Sequence, residues 1–185
     1  MIKRIFILGL IYIFFLSLNA CKKIDDLGYR VFTIKENRHR STTAYNTTKT
    51  NHLTFKAIFD SSAIYHTDDP VNQYDVNKLY GLSDCGCDHS YYSMRLGWRW
   101  LNDSLEVLWF KHMHGIFTFD KITTINLNQP YDYSITFTDS SYIICVGNLC
   151  EETKRSCDGT YRKYYLYPYF GGDEKAPHDI KIRIK

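Results

Sequence analysis

Ser93-Met94-Arg95-Leu96-Gly97-Trp98-Arg99-Trp100-Leu101 is followed, across Asn102-Asp103-Ser104, by the run Leu105-Glu106-Val107-Leu108-Trp109-Phe110-Lys111-His112-Met113-His114. Two aliphatic and aromatic runs parted by turn-forming residues read as an antiparallel β-hairpin. On the first run, alternation puts Arg95, Gly97 and Arg99 on one face and Leu96, Trp98 and Trp100 on the other. Charge outward and tryptophan inward is what a half-buried strand requires. The same basic face also reads as a shallow groove for an acidic chain, with Gly97 leaving room.

Other segments repeat this pattern on both sides of the hairpin. Tyr29 to Lys35 and His52 to Phe59 have strand composition, the latter with Leu53, Phe55 and Ala57 alternating against Thr54 and Lys56. Tyr131 to Thr138 and Ser140 to Val146 form a second pair, and Tyr161 to Tyr167 and Asp179 to Ile184 are the last two strands. The polar run Glu36 to Asn51 reads as a loop or an irregular edge, with Asn46-Thr47-Thr48 as a turn. No segment after the first 20 residues sustains a helical period. Short strands at intervals of roughly ten residues predict an all-β, antiparallel β-sandwich or barrel.

The chain of 185 residues is long enough for one such domain, and its formal charge of +3 gives no support to nucleic-acid binding. Sixteen tyrosines suit either strand packing or a sugar-facing surface. Cys150 and Cys157 flank the polar stretch Glu151 to Ser156 and are expected to clip it shut as a disulfide. Cys145 would then meet Cys85 or Cys87, leaving one thiol over. His112 and His114 alternate onto one face, Cys85-Gly86-Cys87-Asp88-His89 is dense in soft donors, and Gly171-Gly172-Asp173-Glu174 offers oxygens on a turn. None completes a ligand shell, so neither metal nor cofactor is expected.

At the N-terminus, Met1-Ile2-Lys3-Arg4 is basic, Ile5 to Leu18 is apolar, and Leu18-Asn19-Ala20-Cys21 follows. This order resembles the lipobox of bacterial lipoproteins. The resemblance implies a signal peptide over 1–20, cleavage before Cys21, lipid attachment at Cys21, and a lipidated tether over 21–28 ahead of a single sandwich domain over 29–185. Several acyl chains would hold the protein stably on a membrane. Lys22 lacks the aspartate that resembles an inner-membrane retention signal, so the outer membrane is expected, on either face.

Arg95 to Trp100 together with Tyr167-Pro168-Tyr169-Phe170-Gly171-Gly172-Asp173-Glu174-Lys175-Ala176-Pro177-His178-Asp179-Ile180 resemble lipoproteins of Bacteroidota type. The closing stretch also resembles the end of concanavalin-A-like jelly rolls, the fold of lectins, family 16 glucanases and several polysaccharide lyases. The resemblance implies a fold more than an activity. Retaining glucanases need two carboxylates about 5 Å apart, and Glu106 stands alone on its strand. Lyases of this fold pair a basic or tyrosine proton acceptor with an Arg or Gln that neutralises a uronate. Arg95, Arg99, His112, His114 and the tyrosines supply such groups without assignable roles. The expectation is a binding module for a glycan or an envelope protein, through whichever of Arg95, Trp98, Arg99, Trp100, Tyr167 and Tyr169 are exposed. A lyase or hydrolase on the same sandwich, and a purely structural envelope lipoprotein, are the alternatives.

Overall fold

A computed structural model describes residues 24–185; the expected signal peptide, the expected lipid-attachment residue Cys21 and the start of the expected tether lie outside the described residues. Twelve strands run in chain order as β1 (Arg30–Ile34), β2 (Thr47–Thr48), β3 (His52–Phe59), β4 (Asn77–Ser83), β5 (Tyr92–Leu101), β6 (Ser104–Met113), β7 (Ile116–Ile125), β8 (Tyr131–Phe137), β9 (Ser141–Val146), β10 (Leu149–Lys154), β11 (Lys163–Leu166) and β12 (Ile180–Ile184). They form two six-stranded sheets, ordered β1-β12-β3-β8-β9-β10 and β2-β11-β4-β5-β6-β7. All pairings between strands are antiparallel. Short 3-10 turns at Ser61–Ala63 and Pro70–Tyr74 are the only helical segments among the described residues.

The hairpin Tyr92 to Met113 forms as the alternation predicts. Asn102 and Asp103 both adopt positive φ, 51° and 54°, the conformation of a two-residue turn whose twist matches that of its strands. Met94, Leu96 and Trp98 point between the sheets, where Trp98 meets Phe59, Tyr65 and Phe170. Each such ring removes a large apolar area from water, worth roughly 1.5–3 kcal/mol for a side chain the size of Phe.

Four strands depart from expectation, β4 (Asn77–Ser83) among them, since no strand is expected there. Thr47–Thr48, expected in a turn, pairs with Lys163 and Tyr164 as the short edge strand β2. β7 and β10 are sheet edges, exposed along most of their length. The run after Cys150 is therefore not a clipped loop but strand β10, which is extended and carries Cys157 away from Cys150. Register instead places Cys150 directly opposite Cys145, with Cα atoms 4.1 Å apart, and those two are bonded. Cys157 pairs with Cys85 across 72 positions of sequence, and Cys87 keeps a free thiol.

Beside that second disulfide lies a buried ionic cluster that the sequence reading missed. Arg155 grips Asp84 with two hydrogen bonds, Nε to Oδ2 at 2.6 Å and Nη2 to Oδ1 at 2.9 Å. Tyr142 donates to the same carboxylate at 2.8 Å, and Arg155 also donates to the carbonyl of Thr138. Lys163 stands 4.0 Å from Asp84 and donates to Asn51 at 2.6 Å. Asp84 comes close to the sulfurs of Cys85 and Cys157, but those sulfurs are bonded to each other and the carboxylate is already occupied by Arg155 and Tyr142, so the three do not form a metal site.

Candidate functional site

The outward face of the β4-β5-β6-β7 sheet forms the floor of a cleft of about 360 Å³. Register brings its residues together: Arg95 on β5 faces Gly81 on β4 and Phe110 on β6, and His112 faces Ser93 on one side and Phe117 of β7 on the other. Tyr169 pairs its backbone with Lys78 of β4, donating at 2.9 Å and accepting at 2.8 Å, and stacks its ring on His39. Arg40 and Tyr45 from the 36–51 run and Tyr169 from the closing stretch make one wall, and Phe117 and Phe119 make the other. His89 enters from the 84–91 loop, which is tied at its base by the Cys85–Cys157 disulfide and latched by His89 N–H donating to Tyr164 Oη at 2.7 Å.

Two glycines shape this floor. A Cβ on Gly81 would lie 2.6 Å from Arg95 Cα and 2.7 Å from its Cγ, so only glycine lets the Arg95 stem cross here. Gly81→Ala should destabilise the fold by about 1–3 kcal/mol through overpacking. An unchanged urea midpoint would contradict that close approach. Gly97, expected to leave room for a ligand, instead makes room for Val76, whose Cγ1 would be 2.4 Å from an added Cβ. Val76, Leu108 and Phe110 form a small separate apolar cluster at this point.

The cleft floor carries two cations without an ion-pair partner, with Asp75 also among the lining residues. Arg95 is only 7% exposed, and its buried Nε has no hydrogen-bond partner. Burial lowers its pKa to about 10. Lys78 donates to the carbonyl of Gly171 at 2.9 Å, and its ammonium lies 4.5 Å above the Phe110 ring. Burial, and then Arg95, bring it down to about 8. Among the described residues, neither cation has a carboxylate within ion-pair distance. A buried cation without its anion is costly, and an anionic ligand entering the cleft would relieve that cost.

His112 reports the same field. Its Nδ1 lies 3.4 Å from both Arg95 Nη2 and Ser93 Oγ. The guanidinium can only donate, so Nδ1 accepts and Nε2 carries the proton. Burial first, then Arg95, Lys78 and His89, hold the ring down to about 4 from its ordinary 6.5. Between those values the unfolded chain takes up a proton that the folded chain refuses, so the stability this histidine contributes is present above 6.5 and is lost as pH falls toward 4. An NMR titration of His112 should show a midpoint well below 6, and a bound polyanion should raise it. A midpoint at 6.5 in the free protein would rule out the cationic field.

Of the residues expected to make contact, Arg95 and Tyr169 lie in the cleft. Trp98 does not: at 0% exposure it is wholly inside the core and unable to touch a ligand. Trp100 packs against the same core, and Tyr167 borders the cleft but packs its ring on Phe32 and Tyr80. Arg99 shares the outer face with Arg95 but is bound to Glu106 at 2.7 Å and to the Tyr74 carbonyl at 2.8 Å. His114 does not join His112, because the strand ends at Met113 and His114 turns away at φ 55° to meet Tyr92. Glu174, in the stretch whose oxygens sit on a turn, accepts from Asp68 N, Asp69 N and Asn72 Nδ2 and so pins a turn. Lys78, His89, Phe117 and Phe119 were not foreseen. The alternation of Phe110 with His112 and of Phe117 with Phe119 was the available signal.

No family model and no curated protein sequence matches the chain. Solved structures do match it in fold. Alginate lyase AlyC3 superposes with a TM-score of 0.61 at 12% identity, covering 88% of this chain and 75% of that one. SCLam, a non-specific endo-β-1,3(4)-glucanase from family GH16, gives 0.53 at 10% identity over 85% and 69%. The marine PL7 alginate lyase AlyA1 from Zobellia galactanivorans gives 0.52 at 10% identity over 87% and 76%. The domain is thus a jelly-roll sandwich of the concanavalin-A-like kind. At these identities the likeness establishes the fold alone.

Proposed function

We propose that this protein binds an acidic polysaccharide in the cleft over β4 to β7, with its carboxylates received by Arg95 and Lys78. The observation that carries this reading is the pair of cations on the cleft floor with no carboxylate partner. Arg95 offers a planar fork suited to a carboxylate, and His112 Nε2–H and the Tyr169 hydroxyl add neutral polar contacts. Calorimetric titration with oligouronates and with a neutral β-glucan tests it. Binding of the uronates alone, weakening as salt rises, is expected; equal binding of both, or of neither, defeats it.

Eliminative cleavage of the same polymer is a second reading, favoured by the tyrosine hydroxyl of Tyr169 sharing the cleft with a carboxylate-neutralising arginine. Arg95 Nη2 faces His112 Nδ1 as a donor, which argues against that ring as the proton acceptor and for binding as the main role. Appearance of unsaturated uronate on incubation with polymer would select the lyase. Hydrolysis finds less support, since Glu106 is tied to both Arg99 and Lys121.

We further propose that the sandwich is held on the outer membrane through lipid on Cys21, as Leu18-Asn19-Ala20-Cys21 suggests. Cys21→Ser should move the protein from the membrane to the soluble fraction and abolish incorporation of labelled palmitate. Retention of label in that variant would remove the anchor from the proposal.

A further inference from the structure

The wall opposite Tyr169 carries an apolar surface that the cationic floor does not explain. Phe117 and Phe119 stand on the edge strand β7 and are 58% and 40% exposed. With the buried Phe110 they form three nearly parallel rings: 110 to 117 at 5.6 Å and 11°, 110 to 119 at 6.2 Å and 6°, 117 to 119 at 6.4 Å and 6°. Exposed aromatic pairs on a sheet edge invite aggregation, and natural edges usually carry charge there instead. The array is continuous with the charged site, because Phe110 has Lys78 Nζ 4.5 Å and Arg95 Cζ 5.3 Å from its ring centre. An occupant must therefore present an anionic group and, one step along, an apolar face.

Resting on the acidic-glycan reading above, we infer that Phe117 and Phe119 form a second subsite, on which the apolar face of a neighbouring sugar packs while its charged neighbour sits at Arg95 and Lys78. A pyranose has that amphipathic character, with C–H groups on its ring face and polar groups around its rim, and a flat ring gives it contact area at little cost in side-chain entropy. The site thereby selects chain length as well as charge: a short uronate fills the cationic subsite alone, and a longer chain spans both. Lys121, which follows on the same edge and bonds Glu106 at 2.8 Å, closes this wall with a charge.

The test is calorimetric titration of wild type, Phe117→Ala/Phe119→Ala and Phe117→Leu/Phe119→Leu with dimannuronate and with hexamannuronate. The leucine pair keeps apolar bulk without a flat ring, so a folding defect in the alanine pair does not decide the matter. Wild type should bind the hexamer more tightly than the dimer. Both variants should lose about tenfold in hexamer affinity, the scale of one large apolar contact, with dimer affinity unchanged. Equal wild-type affinity for the two lengths, or an unchanged hexamer affinity in the leucine pair, overturns the subsite while leaving the cationic site standing. Failure of wild type to bind either oligomer defeats the acidic-glycan reading and the subsite together. A wild-type dimer in sedimentation that the leucine pair splits, with hexamer affinity unchanged, overturns the subsite in favour of self-association.

Discussion

Arg155→Met is expected to cost about 3–5 kcal/mol, the usual result of removing one partner from a buried ion pair and stranding the other. For a domain of this size that corresponds to a fall of roughly 6–20 °C in melting temperature. Asp84 is fully buried, and with Arg155 gone it keeps only Tyr142 and the more distant ammonium of Lys163. Asp84→Asn should be comparably damaging, because it strands Arg155 and Lys163. The double substitution should cost less than the sum of the two, since neither stranded charge of the Asp84–Arg155 pair then exists. Thermal melting of the oxidised protein measures all three. Single losses below about 1 kcal/mol, the range of exposed pairs, would show that the cluster is wetter than its geometry implies. The cluster also bears on the cleft: Asp84 precedes Cys85 in the loop that carries His89, so the disulfide and the ion pair together fix the cleft's His89 side.

What could be read from the sequence follows from which strands have a buried face. β3, β8 and β9 alternate because one side of each packs on the core. β5 and β6 are buried on both faces along most of their length and stand out instead as apolar and aromatic runs about a two-residue turn, and the bounds of all five fall within about two residues of expectation. β7 and β10 are each an edge strand of its own sheet, on the same side of the sandwich, where neither face is consistently buried, so nothing enforces a period of two. β4 was hidden differently: a bulge between Lys78 and Tyr80 breaks its alternation. The same limits apply to the site. Alternation placed Arg95 on the outer face, but the neighbours that make it a site, Lys78 and Tyr169, arrive through sheet order, which local pattern does not encode. The disulfides were misassigned for that reason as well, since Cys145 and Cys150 meet through hairpin register. Trp98 shows the reverse case: alternation already pointed it at the core, and its ring has no route to a ligand.

Arg95→Met should abolish acidic-glycan binding while leaving the fold intact or more stable. The two effects have one cause. In the free protein the guanidinium is desolvated, its Nε lacks a partner and Lys78 adds like charge nearby, so replacing it with an apolar side chain of similar length removes an unfavourable burial. In the complex the same group is the anion's main partner, and loss of one member of a buried, hydrogen-bonded charge pair costs about 2–5 kcal/mol, which is at least roughly thirtyfold in affinity. Arg95→Lys should fall between, keeping charge without the fork. His112 should also titrate at a higher pH in the methionine variant, because the neighbouring guanidinium that helps hold its pKa down is gone. Melting temperature, oligouronate affinity and the His112 midpoint therefore move together if the cleft stores charge for a ligand. A variant that melts lower and binds as before would make Arg95 a structural residue, leaving Lys78 as the candidate anion receptor.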